Sequence, residues 1–267
     1  MPDHDTTGGR WVCGPSAPRM RARDVHVWAV DLRLPDLVIA SLRLTLSEPE
    51  LQRARAFRRV EDYREFVACR ALVRHILARY TSYQPATLQL TQRCGHCGGA
   101  HGKPRLATPH GTRFDISWSR TSGMALFAIG ASIKVGVDVE RLDTTLDLHP
   151  ELEALALSRT ERGRLVRLSP SARRSHFYSI WTCKEAYLKA REEGLSRPPS
   201  ELTISSLNGW APVGDARFRE QPVGWHSLTV SPASRYRGAV AVELPIRGMW
   251  RWRLAPTTGA HCDSASA

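Results

Sequence analysis

The feature that most constrains this chain is that it repeats itself. At a fixed offset of 111 residues, Leu46 and Leu157, Ser47 and Ser158, Glu50 and Glu161, Arg53 and Arg164, Phe66 and Phe177, and Leu77 and Leu188 are identical pairs. About two such identities are expected by chance over the stretch from 46 to 77. Val27 to Asp31 and Val135 to Asp138 each open a half with a strand that ends in an aspartate, and the order of elements then repeats. The repeat predicts an α+β fold of two duplicated halves related by a pseudo-twofold, with the active site in the cleft between them. Residues 24–131 form the expected first half and 132–255 the second. Residues 1–23 and 256–267 lack periodicity and read as disordered tails.

Within each half the local signals are those of strands and amphipathic helices. Val25 to Leu32 alternates as a strand. Ser47, followed by Glu48 and Glu50, reads as a helix N-cap with acids in the first turn, so a helix is expected from there through Phe57. A second helix is expected from about Glu61 to Tyr80, with Phe66, Val73 and Leu77 on its apolar stripe. Leu88 to Leu90 is a short strand, Phe114 to Ser119 a strand ending in a polar turn, and Met124 to Ile129 an apolar run suited to a central strand. In the second half a helix is expected within 149–168, a longer one over 171–191, and strands at 225–230 and 239–244.

Two segments carry candidate chemistry. In Lys134 to Leu142, Val135, Val137 and Val139 alternate with Gly136, Asp138 and Glu140, so both acids project from one strand face. Adjacent carboxylates repel unless a cation sits between them, and oxygen ligands from two or three carboxylates are how Mg²⁺ is usually held. On the helix over 171–191, Trp181, Glu185 and Lys189 fall at i, i+4 and i+8 on one face. That spacing alone is also an ordinary surface Glu/Lys pair.

With 38 Lys+Arg against 26 Asp+Glu, the formal net charge is +12. Such a surface attracts anions: nucleic acid, a phosphorylated cofactor or an acidic protein. No apolar run is long enough to span a membrane, and the N-terminus lacks the pattern of a signal peptide, so a cytoplasmic location is expected. The six cysteines, Cys13, Cys69, Cys94, Cys97, Cys183 and Cys262, are too scattered for a disulfide framework. Cys94 and Cys97 have zinc-knuckle spacing, with His96 or His101 as further ligands, but one such pair does not complete a tetrahedral site. That loop and the basic balance also admit a nucleic-acid-binding protein; the spread of the basic residues along the chain, without interleaved aromatics, counts against it.

The combination Gly136-Val137-Asp138-Val139-Glu140 and, some forty residues on, Trp181-Thr182-Cys183-Lys184-Glu185-Ala186-Tyr187-Leu188-Lys189 resembles the 4′-phosphopantetheinyl transferases, in particular the branch with two similar halves that activates peptide and polyketide synthases. The resemblance covers roughly residues 25–245. It implies transfer of the 4′-phosphopantetheine arm of coenzyme A to a serine of an acyl- or peptidyl-carrier protein, partners that are typically acidic. It implies Asp138, Glu140 and Glu185 as Mg²⁺ ligands, Lys189 and Lys184 as contacts to phosphate, and Trp181 at the cleft. It implies Glu161 as a base or orienter; the residues alone make Ser158 an N-cap and Glu161 its capping-box partner. Gly102-Lys103-Pro104 matches an element that touches the cofactor, or is a surface turn, and Ser117 would reach the cleft from the first half. Arg70 and Arg74 would meet the nucleotide or lie solvated on their helix. Trp118 stands where many relatives carry a histidine on the 3′-phosphate; Arg113 or Arg120 is expected to supply the missing charge, with Trp118 packing on the cofactor. A duplicated chain removes the need to dimerise, so a monomer is expected.

Overall fold

The computed structural model describes residues 9–94, 98–99, 102–107, 113–194, 197–217 and 224–254. The readings placed on His96, Cys97, His101 and the tail 256–267 lie outside them. A two-residue strand β1 (Val12–Cys13) precedes β2 (Asp24–Asp31). Next come α1 (Asp36–Arg43), α2 (Glu48–Arg55), α3 (Val60–Ala78), the hairpin of β3 (Gln89–Gln92) and β4 (Pro104–Ala107), β5 (Phe114–Thr121) and β6 (Met124–Ala131). The same order follows again: β7 (Val135–Arg141), α4 (Pro150–Ala156), α5 (Arg159–Leu165), α6 (Pro170–Arg191), β8 (Leu202–Ile204), β9 (Ala211–Asp215), β10 (Trp225–Val230) and β11 (Tyr236–Glu243). A last strand is β12 (Gly248–Arg253).

The pairings repeat as the order does. β2 runs antiparallel to β6 and β6 to β5; β7, β11 and β10 pair the same way. The β3–β4 hairpin stands as its own two-stranded sheet, whereas the matching β8–β9 hairpin joins β10 to extend the second sheet. The fold is therefore α+β and duplicated.

β2, β6, β7 and β11 each have one face toward the long helix of their half and one toward the other sheet. Trp28, Val30, Ile116 and Phe127 pack with Phe66, Val73 and Leu77 of α3. Val25, Val27 and Ala29 meet Val135, Val137 and Val139 in the core between the two sheets. Ala239 and Ala241 pack with Phe177, Ile180 and Leu188 of α6. The valines of β7 thus enter the central core at 0% exposure, and the period of two turns Gly136, Asp138 and Glu140 toward α6.

Several expectations need correction. Val12 and Cys13 lie in the tail expected to be disordered, yet they pair in parallel with Trp252 and Arg253 of β12. β12, expected to belong to the second half, pairs in parallel with β2 in the first-half sheet, Gly248 opposite Asp24. The chain closes on itself there, with Arg247 bonded to both carboxylate oxygens of Asp24 at 2.6 and 3.0 Å. The strand expected to end in a polar turn by Ser119 continues as β5 through Thr121. The single helix expected within 149–168 is two, because Ser158 caps α5 and Leu157 leaves the helical conformation to bury its side chain.

Candidate active site

The site begins with a missing side chain. A Cβ on Gly136 would stand 1.8 Å from the Ala186 carbonyl oxygen and 2.7 Å from the Ala190 amide nitrogen, so glycine here lets α6 lie directly on β7. The small residues Ala186 and Ala190 face it, and their neighbours Glu185 and Lys189 are brought alongside Asp138. Between 181 and 190 only Trp181, Glu185 and Lys189 are not fully buried. The i, i+4, i+8 stripe is thus the part of α6 that opens to the surface. Trp181 stacks on Phe177, ring centroids 6.5 Å apart, and packs at the margin of the α6 core.

Asp138 is 3% exposed. Its Oδ1 accepts from Lys189 Nζ at 2.6 Å and from Ser119 Oγ at 2.7 Å, and Lys189 Nζ also donates to Ser119 Oγ at 3.0 Å. Glu140 Oε2 accepts from Thr121 Oγ1 at 3.4 Å. Asp138 Oδ2 and Glu185 Oε1 are buried without a partner. Burial and the neighbouring Asp138 push the carboxyls of Glu140 and Glu185 up to about 7, against the pull of Lys189. Three acids share one ammonium, so the cluster holds excess negative charge in a poorly solvated place. Among the described residues no three Asp, Glu, His or Cys side chains are gathered closely enough to enclose an ion as they stand. The two unpartnered oxygens and the like-charge crowding nonetheless form a donor set whose chemistry suits a hard divalent cation.

Asp138 and Glu140 meet the first half through β5, whose side chains take the place of a backbone ladder. Asp115 Oδ2 accepts from Val135 N–H at 2.7 Å, Ser117 Oγ from Val137 N–H at 3.1 Å and Thr121 Oγ1 from Arg141 N–H at 3.2 Å. Of this row the sequence reading singled out Ser117 alone, as reaching the cleft. The row's signal is the alternation of Asp115, Ser117, Ser119 and Thr121 with larger residues, the period of a strand rather than of a turn.

Other expected site residues are engaged elsewhere. Glu161 and Lys184 are both 0% exposed and paired at 2.6 Å. Glu161 Oε2 also accepts from the Ser158 N–H at 2.8 Å and its Oε1 from the Ile204 N–H at 2.7 Å, while Lys184 donates to the Ala156 carbonyl at 2.8 Å. Burial pulls the Lys184 pKa down and Glu161 opposes it. Neither side chain has exposed surface, and Glu161 makes the capping-box bonds with Ser158. Arg74, 2% exposed, is spent on Glu50 at 2.7 and 3.0 Å and on the carbonyls of Pro85 and Leu88. The Lys103 ammonium is paired with Asp115 and bonded to the Val135 carbonyl at 2.9 Å, so it anchors the seam between the halves. Pro104 is buried at the start of β4, and Ser117 is spent on the seam.

Arg70 is different. Its guanidinium lies over the Trp118 ring at 4.8 Å and over Phe66 at 5.5 Å, and it donates to Gln92 at 2.5 Å. Arg120 shares the Trp118 face of β5, lies over Phe57 at 6.0 Å and meets Glu65 at 3.6 Å. Arg113 lies over Phe114 at 4.9 Å and lines a separate concavity with Arg23, Arg105 and Lys134.

Residues 134–241, which span the acids of β7 and all of α6, match the 4′-phosphopantetheinyl transferase superfamily. Over 235 residues the chain is 31% identical to the 4′-phosphopantetheinyl transferase HetI of Nostoc sp., covering 87% of this chain and 93% of that protein. It is 31% identical over 189 residues to a phosphopantetheinyl transferase of Thraustochytrium sp., 66% of this chain and 61% of that one. It is 23% identical over 159 residues to the 4′-phosphopantetheinyl transferase Sfp of Bacillus subtilis, 60% of this chain and 66% of that protein. The chain belongs to the 4′-phosphopantetheinyl transferase superfamily and is an enzyme of that class, in its two-half form.

Proposed function

We propose that this protein transfers the 4′-phosphopantetheine moiety of coenzyme A to a serine of an apo acyl- or peptidyl-carrier domain, in the service of polyketide or nonribosomal peptide synthesis, and acts as a cytoplasmic monomer. The serine oxygen forms a bond to the phosphorus that carries the pantetheine arm. The pyrophosphate P–O bond breaks, 3′,5′-ADP leaves, and the serine proton passes to solvent or a base. The observation that carries the reading is the cluster at the seam: two unpartnered buried carboxylate oxygens beside one ammonium.

Asp138, Glu140 and Glu185 would hold Mg²⁺, which when bound neutralises pyrophosphate charge and favours departure of the nucleotide. Lys189 has three N–H donors. Two are used by Asp138 and Ser119, which aims the ammonium and leaves the third for a phosphate oxygen. Its side chain is 31% exposed, so the group is reachable. On the first half, Arg70 and Arg120 around Trp118 would take the 3′-phosphate, with the indole against the cofactor. The net charge of +12 suits an acidic carrier protein and would act mainly on the rate of encounter.

The test is intact-mass analysis of an apo carrier protein incubated with this protein, coenzyme A and Mg²⁺. A gain of one phosphopantetheine is the expected result. No gain with any carrier of either class would defeat the reading. Among the described residues no helix is long and apolar enough to cross a membrane.

A further inference from the structure

We infer that Ser119 is a positioning residue of the active site, contributed by the first half to the second, which fixes the Lys189 ammonium and commits one oxygen of Asp138 so that the other is left for the cation. This rests on the transferase reading above. A pattern of seam contacts breaks at one residue of β5. Along β5, Asp115, Ser117 and Thr121 accept in turn from the backbone N–H groups of Val135, Val137 and Arg141. That register brings Ser119 opposite Val139. Ser119 departs from the series, and its hydroxyl donates to Asp138 Oδ1 at 2.7 Å while accepting from Lys189 Nζ at 3.0 Å.

Lys189 closes the triangle by donating to the same Oδ1 at 2.6 Å. Oδ1 therefore has two donors, whereas Oδ2 is buried and has none. Only a group that donates and accepts at once can sit at this corner, and a hydroxyl does so. Without it, the long Lys189 side chain keeps a single anchor. The ammonium is then free to move across to Oδ2 and compete with a cation there. A residue that merely stapled the sheets together would follow its neighbours onto the β7 backbone. The triangle also spans three elements, β5, β7 and α6, so the two halves must be properly apposed for it to form.

The experiment compares wild type, Ser119→Ala and Ser119→Thr in three measurements: carrier modification under steady state, Mn²⁺ binding followed by electron paramagnetic resonance without coenzyme A or carrier, and thermal melting. For Ser119→Ala we expect kcat to fall about ten-fold or more, the loss of a hydrogen bond to a charged group. The KM for coenzyme A should change by less than about three-fold, since that contact is not made to substrate. Mn²⁺ binding should weaken several-fold, the melting temperature should hold, and Ser119→Thr, which keeps the hydroxyl, should restore both kcat and Mn²⁺ binding. Wild-type kcat and Mn²⁺ affinity in Ser119→Ala would overturn the inference. So would losses that track a fall in melting temperature and are not restored by threonine. If wild type modifies no carrier, the transferase reading fails separately, and the Mn²⁺ arm still decides the role of Ser119.

Discussion

In the first half, Glu50 returns its carboxylate to the Ser47 amide at 2.9 Å, and Arg74 from α3 reaches the same oxygen. In the second half Glu161, Ser158 and Lys184 from α6 repeat the arrangement. The short helix is thus pinned to the long one by the same device twice, slightly open in the first case and wholly dry in the second. What the halves put beneath the long helix differs. β2 turns His26, Trp28 and Val30 toward α3; β7 turns Gly136, Asp138 and Glu140 toward α6. Arg79 at the end of α3 lies over the Trp28 ring at 5.3 Å, and Lys189 lies on Asp138. One copy fills the space with aromatic rings and becomes a scaffold. The other clears it with a glycine, lines it with acids and becomes the candidate site.

The largest expected contrast is between the two residues facing the helix. Asp138→Ala should reduce carrier modification by roughly a thousand-fold or more. Its melting temperature should hold or rise, because one of three crowded acids is gone. Trp28→Ala should do the reverse: destabilise by about 3–5 kcal/mol as a buried aromatic is removed, and leave kcat of the remaining folded enzyme near wild type. Denaturant melts and turnover on the same samples check both. A fully active Asp138→Ala protein would end the division of labour between the halves.

Next in size are the two anchoring cations. Lys184→Met leaves the Glu161 carboxylate buried and uncompensated, a loss of about 3–5 kcal/mol of stability. Arg74→Met should cost less, since Glu50 keeps 14% of its side-chain surface in solvent. Adding Glu161→Gln to Lys184→Met should recover part of the loss. Lys184→Met with an unchanged melt and a raised KM for coenzyme A would instead make Lys184 a cofactor contact.

Those anchors mark where sequence reasoning ran short. The alternation of Val135, Val137 and Val139 with Asp138 and Glu140 is legible because one face of β7 must enter a core, and the stripe of Glu185 and Lys189 because helical period places them together. Lys184 precedes Glu185 by one residue, and that single step carries its side chain from the opening into the dry interior. Nothing in the residue type tells a lysine that binds phosphate from one that neutralises a buried glutamate. Likewise the capping glutamates Glu50 and Glu161 signal helix starts, but their second bond is made to a residue more than twenty positions away. β12 was invisible for another reason: Trp250 and Trp252 gain meaning only when β2 lies beside them.

The pH dependence of stability should also divide the halves. His26 is buried against Tyr80, Trp250 and Trp252, its Nδ1 3.0 Å from the Tyr80 hydroxyl. Burial, with Arg247 adding and Asp24 opposing, lowers its pKa from 6.5 to about 4. The folded state keeps the ring neutral while the unfolded chain takes up a proton. Stability contributed by the neutral ring is therefore present above about 6.5 and lost as pH falls to about 4, on the order of 3 kcal/mol in all. Replacing it with His26→Phe should remove that contribution from urea-derived stability, at the cost of the Tyr80 bond, and leave the opposite slope of Glu140 and Glu185, whose carboxyls, pushed up to about 7, contribute most at low pH. An unchanged slope would remove His26 as its source. The corresponding place in the second half is Gly136, which has nothing to titrate; there the pH dependence comes from Glu140 and Glu185 and runs the other way.

The smallest effect concerns how the two halves share the cofactor. Trp118 cannot carry charge, so if the first half reads the 3′-phosphate, arginine must do so. Sequence alone leaves Arg113 and Arg120 equal. In the structure Phe114, Ile116, Trp118 and Arg120 alternate on one face of β5, and Arg70 from α3 covers the indole, whereas Arg113 precedes the strand and opens to another concavity. Among the described residues Arg120 is held by Glu65 at 3.6 Å and by the Phe57 ring at 6.0 Å, both looser than a direct hydrogen bond. Arg120→Ala should therefore lower the preference for coenzyme A over dephospho-coenzyme A by about 1.5–3 kcal/mol, the range for a hydrogen bond to a charged group. Arg113→Ala and Trp118→His should change it far less. The measurement is kcat/KM for both donors in each variant. A loss confined to Arg113→Ala would move the phosphate to the Lys134 side of the seam, and unchanged discrimination in both arginine variants would take the 3′-phosphate away from this strand altogether.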